Sequence, residues 1–273
     1  MRFHASKFPN DLCSKLLTEN FYVDNFFYSS NDCEELEYVY KEACVRMNEA
    51  SFFLRSWNSN LPELNFKIAA DGRLAEHGCS EEKVLGYRYN LEMDTMSVSK
   101  VDCDIGANTK RSILSAISSV FDPIGLVLPI TVSGKILMRY IWSLSPKVDW
   151  DTVLNAEVIN EWKRVAVSLN DAYKIPFKRM VLSKDNEYGV HIFCDSSKTA
   201  YGFVMYACYN GLSDLIFAKT KMAPLKELSI PCLELMAVVL AFKCLPNILS
   251  SFEDIKFKFL NFVVDAQVVL TWL

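Results

Sequence analysis

Four acidic residues stand where a carboxylate could do chemistry: Asp24, Asp195, Glu234 and Asp265. Asp24 interrupts the apolar run around "FYVDN", which reads as a buried hairpin where an unpaired charge is costly. The other three share a pattern. Asp195 ends the alternating segment "EYGVHIFCDSS", Glu234 sits between Leu233 and Leu235 where the helical "SIPCLELMAVVLAF" begins, and Asp265 ends "FKFLNFVVDA". Strand ends and adjoining helix starts are where ligands gather in an α/β layer. Carboxylates brought together there raise one another's pKa unless a divalent cation neutralises them, so the set predicts Mg²⁺. Two such ions can activate a water and stabilise the leaving oxygen in phosphodiester cleavage.

The elements that must position these residues follow from periodicity. Asn31 and Asp32 can cap a helix, with Glu34 and Glu35 in its first turn and Leu36, Val39, Tyr40, Ala43, Cys44, Met47, Ala50 and Leu54 on one face. "SWNSNLPELN" breaks it. Two short strands are expected around the turn "NLEMD", then helical segments from Thr109, interrupted at "FDPIG" and at Pro129, resumed from Thr131 to about Leu144, and again over 155–169. In the last third, "EYGVHIFCDSS", "AYGFVMYACY" and "DLIFAKT" predict an antiparallel meander, followed by a helix with Glu234 in its first turn, a fourth strand and the start of another helix. The class is α+β to α/β, divided into 1–60, 61–180 and 181–273.

Composition narrows the chemistry. With 273 residues and 51% hydrophobic residues the chain can build a sizeable core. Nine scattered cysteines without a C-x-x-C pair, and three histidines (His4, His77, His191) without H-x-x-x-H spacing, argue against a zinc centre and suit a reducing, intracellular setting. The start lacks the apolar core of a secretory signal, and no apolar run is expected to be long enough for a membrane helix. The net charge of -4 lacks the basic field of a self-sufficient nucleic-acid binder, and the basic pairs Lys110–Arg111 and Lys178–Arg179, with Lys219, Lys221 and Lys226, are expected to be solvated surface.

"FYVDN", "FFLRSWNSN", "VLGYRYNLEMDTMSV", "TKRSILSAISSVFDPIGLVLPITVSGKILMRYIW", "FCDSSKTAYGFVMY", "AKTKMAPLKELSIPCLELMAVVLA" and "VVDAQVVLTWL" run in order over residues 20–273. This ordered set resembles the pol polyprotein of Bel/Pao-type LTR retrotransposons, from the end of the reverse transcriptase into RNase H. The resemblance implies a partial palm hairpin, a helical thumb and connection, and a C-terminally truncated RNase H-like fold. It implies that Asp24 matches the first aspartate of the palm Y-V-D-D pattern, with Asn25 in place of the second. It further implies that Asp195, Glu234 and Asp265 match three of four RNase H carboxylates and bind metal to cut RNA in an RNA–DNA hybrid. The partners implied are that hybrid or a template–primer, and the remaining pol segments; the compartment is cytoplasmic or nuclear, with no secretion and no membrane.

Part of this family region also carries the label "peptidase", yet a retroviral-type aspartic protease needs D-[ST]-G. The chain offers D-S-S at Asp195 and D-G-R at Asp71 instead. The upstream palm aspartate would precede Met1 and the fourth RNase H aspartate would follow Leu273, so DNA synthesis by this chain alone is not expected. Asn25 and the negative charge leave a second reading open, a non-catalytic remnant or a nucleic-acid- or protein-binding module.

Overall fold

The computed structural model describes residues 11–75, 81–144 and 147–272 and separates into two compact units, Met1–Ser80 and Glu81–Leu273. In the first unit, helix α1 (Leu12–Glu19) is capped by Asp11, whose Oδ2 accepts the Ser14 amide at 3.0 Å. Strands β1 (Phe21–Tyr22) and β2 (Asn25–Phe26) form a hairpin turned by Val23 and Asp24, with Val23 in the left-handed region at φ 59°. The paired Phe21 and Phe26 rings lie 5.3 Å apart, and Phe26 meets Trp57 edge-on at 6.0 Å. The hairpin is not buried as the sequence suggested. Tyr22 and Val23 are 62% and 85% exposed.

Helix α2 (Cys33–Glu49) starts at Asp32, which accepts the Glu34 amide at 2.9 Å. Glu35 does not reach back to the cap backbone; it accepts from the Ser30 hydroxyl, which itself accepts the Asp32 amide. The helix stops five residues short of Leu54. Ser51 adopts φ 61°, the Ser51 amide bonds to the Asn48 carbonyl, and the Phe52 amide bonds to the Met47 carbonyl at 2.8 Å, a Schellman ending with serine where glycine usually stands. Helix α3 (Pro62–Ala70) opens on Pro62, which has no amide to leave unpaired, and packs Leu64 and Ile68 with Tyr40 and Cys44.

The second unit begins with a sheet in the order β3 (Glu81–Val84), β4 (Tyr87–Asn90), β5 (Thr95–Val98) and β6 (Phe177–Lys178), twice the strands expected. Its last two strands are held by Arg179, whose Nε and Nη2 donate to the two carboxylate oxygens of Asp94 at 2.6 and 3.0 Å. Helices α4 (Lys110–Ser118), α5 (Leu128–Ser143) and α6 (Ala156–Asp171) surround Ile113, Ile141, Val158, Trp162 and Leu169. Pro129 is not a break; it sits in the first turn of α5, where a missing amide costs nothing.

The expectation of solvated basic residues is corrected at Lys110, which is buried with its ammonium 3.2 Å from the Trp142 ring centroid. Arg111 and Lys178 are exposed as expected, in surface ion pairs with Asp151 and Asp214.

The second sheet has the order β10 (Lys256–Val263), β7 (Glu187–Ser196), β8 (Ala200–Tyr209), β9 (Leu212–Met222); β10 runs parallel to β7 and the other pairs are antiparallel. Alternation along β7 turns Val190, Ile192 and Cys194 towards helix α7 (Ile230–Ser250), which covers them with Leu233, Ala237, Val238 and Ala241; helix α8 (Gln267–Trp272) follows. By length and composition α7 is apolar enough to cross a membrane, contrary to the expectation that no run would be. Here its apolar stripe covers a sheet.

The "FDPIG" segment joins the helices to this sheet. Asp122 accepts the Leu126 and Val127 amides at 2.8 and 2.9 Å, and the Ile124 carbonyl accepts the Ala218 amide of edge strand β9 at 2.9 Å. Gly125 at φ 81° leaves room for that approach, since a Cβ there would lie 2.1 Å from the Ala218 carbonyl oxygen. Arg139 of α5 donates to the Ala223 and Pro224 carbonyls just beyond β9.

Gly125→Ala should therefore destabilise the second unit by about 2 kcal/mol or more, read as a lowered urea midpoint, through both the clash and the positive φ. The Arg179 pairing holds the Asp94 carboxyl below its ordinary value. A carboxylate whose folded pKa is depressed contributes stability above its unfolded pKa and loses it as pH falls through the folded one. Asp94→Asn should thus weaken the protein near neutral pH by no more than about 1 kcal/mol, given its exposure, and leave the difference absent below the carboxylate range. Melting temperatures from pH 7 to 3 check this.

Candidate metal centre

Asp195 lies at the end of β7, Glu234 on α7 and Asp265 between β10 and α8, so three separate elements deliver one carboxylate each. One oxygen from each lies within 4.8 Å of the others. Parallel pairing of β10 with β7 brings Asp265 alongside Asp195, because Val263 is registered with Phe193 two residues earlier on both strands. Glu234 is the fifth residue of α7 rather than a member of its first turn, and the packing of Leu233 and Ala237 against the sheet turns it towards the end of β7.

The three side chains differ in environment. Asp195 and Asp265 are exposed, whereas Glu234 is 4% exposed. Glu234 Oε1 accepts from the Ser196 hydroxyl at 2.7 Å and the Ser196 amide at 3.1 Å, and the same amide lies 2.6 Å from Asp195 Oδ1. Its Oε2 is buried without a hydrogen-bond partner. Burial pushes the Glu234 pKa up, the neighbouring Asp195 and Asp265 charges push in the same direction, and the Ser196 bonds oppose them. Burial also raises the Cys194 thiol to about 11, with Glu234 adding to it, so this sulfur stays protonated at neutral pH.

A divalent cation fits this donor set. Unit negative charges 4.8 Å apart repel by roughly 3 kcal/mol at an effective dielectric of about 20. An unpaired buried carboxylate oxygen costs a further 1–3 kcal/mol or so. A hard cation among the oxygens removes both penalties, and an all-oxygen set suits Mg²⁺, Mn²⁺ or Ca²⁺ over softer metals.

Asp24 does not share this arrangement. It occupies the exposed turn of the first unit's hairpin, and among the described residues it joins no group of three potential ligands. Asn25 pairs with Tyr22 across the hairpin. The residue that sequence reasoning missed is Ser196. In the sequence it stands only as part of a D-S-S that fails to match a protease motif; the hydroxyl's partner is 38 residues away, and no local signal points to it.

Comparison with known proteins finds similarity in fold and a matching family. The chain spans about half the length of the foamy viral protease-reverse transcriptase in complex with dsDNA, which it matches over 95% of its own residues at 12% identity and a TM-score of 0.54. The foamy viral enzyme in complex with an RNA/DNA hybrid matches over 90% of this chain and 36% of its own, at 12% identity and a TM-score of 0.49. No curated protein matches. Residues 109–266 match the model of the Pao retrotransposon-like RNaseH-like domain, a stretch that runs from the N-cap of α4 through all three carboxylates. The chain belongs to that family.

Proposed function

We propose that this chain carries the ribonuclease H centre of a Bel/Pao-type pol polyprotein which, with Mg²⁺, cleaves the RNA strand of RNA–DNA hybrids. The observation that carries the reading is the convergence of Asp195, Glu234 and Asp265, with Glu234 Oε2 buried and unpartnered. When bound, divalent cations acidify a water and stabilise the departing oxygen of a phosphodiester. The protein's part is to hold them. Glu234 offers a fixed buried oxygen, while Asp195 and Asp265 are open to solvent, the side from which a nucleic acid can approach.

The partner class is supported by the family and by the dsDNA held by the foamy viral relative in fold. Lys110 is buried against Trp142 and the net charge is -4, so the remaining pol segments are proposed to supply much of the binding surface. A polymerase role for Asp24 is proposed only together with carboxylates from other pol segments, since two-metal nucleotidyl transfer needs several converging carboxylates and Asn25 brings an amide with no charge.

The test is cleavage of a labelled RNA–DNA hybrid by the intact polyprotein in Mg²⁺. Asp195→Asn and Glu234→Gln should each slow cutting about 100-fold or more, and Asp24→Asn should leave it unchanged. Undiminished cutting by Asp195→Asn sinks the assignment. Absence of cutting by a normally melting parent protein would favour the non-catalytic binding module.

A further inference from the structure

We propose that Ser196 is a positioning residue that fixes which oxygen of Glu234 faces the cation, and that it sets the affinity of the centre; this rests on the metal-centre reading above. The Ser196 hydroxyl and amide both donate to Oε1, at 2.7 and 3.1 Å. Oε1 is thereby saturated from the strand side, and Oε2 is left as the free, buried oxygen. The Ser196 amide also lies 2.6 Å from Asp195 Oδ1, so one residue, 38 positions from Glu234, ties two of the three ligands together.

The arrangement has a physical purpose beyond packing. A carboxylate with two equivalent oxygens can rotate between one-oxygen and two-oxygen coordination. Occupying one oxygen with two donors removes that freedom before a cation arrives. The donors also spread the negative charge of a group that burial disfavours as an anion, so Glu234 stays available as a ligand. Partners of this kind orient metal ligands and contribute to affinity without touching the ion.

Three replacements separate this role from simple packing. Ser196→Thr keeps a hydroxyl and Ser196→Val has nearly the shape of threonine without it, so the pair differs in hydrogen bonding alone; Ser196→Ala removes the group with little added bulk. Mn²⁺ binding would be measured by titration calorimetry on the full chain, with melting in EDTA recorded for each variant. Ser196→Ala and Ser196→Val should bind Mn²⁺ about 10-fold more weakly, and Ser196→Thr within about twofold of the parent. Equal affinities for the threonine and valine variants would overturn the proposal, as would parental affinity in Ser196→Ala. Glu234→Gln serves as the separate control. If it binds Mn²⁺ as the parent does, the metal-centre reading itself fails, whatever the Ser196 variants do.

Discussion

The packing of helix α7 on the β7–β8–β9 sheet is the constraint on which the candidate site depends. Leu233, Ala237, Val238 and Ala241 meet Val190, Ile192 and Cys194 in one apolar layer. The leucine, valine and isoleucine side chains each stabilise the fold by roughly 1.5–3 kcal/mol when buried and the alanines by less, and together they leave the helix one rotational setting. In that setting the residue after Leu233 must point at the end of β7. Glu234 is therefore a buried acid because its neighbours are buried apolar groups, and its desolvation is offset only in part by Ser196.

The sheet's far edge shows how the rest of the family region is attached. Edge strand β9 would present unpaired backbone groups, a liability for any sheet. The "FDPIG" loop covers part of that edge through the Ala218–Ile124 bond, Asp122 ties the loop to the start of α5, and Arg139 caps the carbonyls beyond the strand. The helices and the sheet are thus joined by hydrogen bonds, and the family match, which begins at the N-cap of α4, spans both.

The first unit illustrates a site residue whose surroundings differ from those its local sequence implied. The aromatic run around Asp24 divides at the turn: Phe21 and Phe26 face inward to Trp57, while Tyr22 and Val23 face solvent. An exposed aspartate in a turn bears no desolvation penalty, so its presence there requires no cation to explain it.

Much was legible in the sequence where one residue's neighbours are also its partners. Alternation in "EYGVHIFCDSS" and the three-and-four spacing after Pro231 specify β7 and α7, the elements that carry Asp195 and Glu234, because burial of an apolar face acts residue by residue along a single element. The end of α2 at Ser51 was less legible, since a serine can adopt the left-handed conformation but does not advertise it as glycine does. Strands β3 and β6, short and partly polar, gain their order only from the strands beside them. What tertiary structure alone decided is the state of each carboxylate: which is buried, which oxygen is satisfied and which is left open. Those follow from distances between residues tens of positions apart, and the electrostatic free energy of an ionised group depends on such distances far more than on its place in the chain.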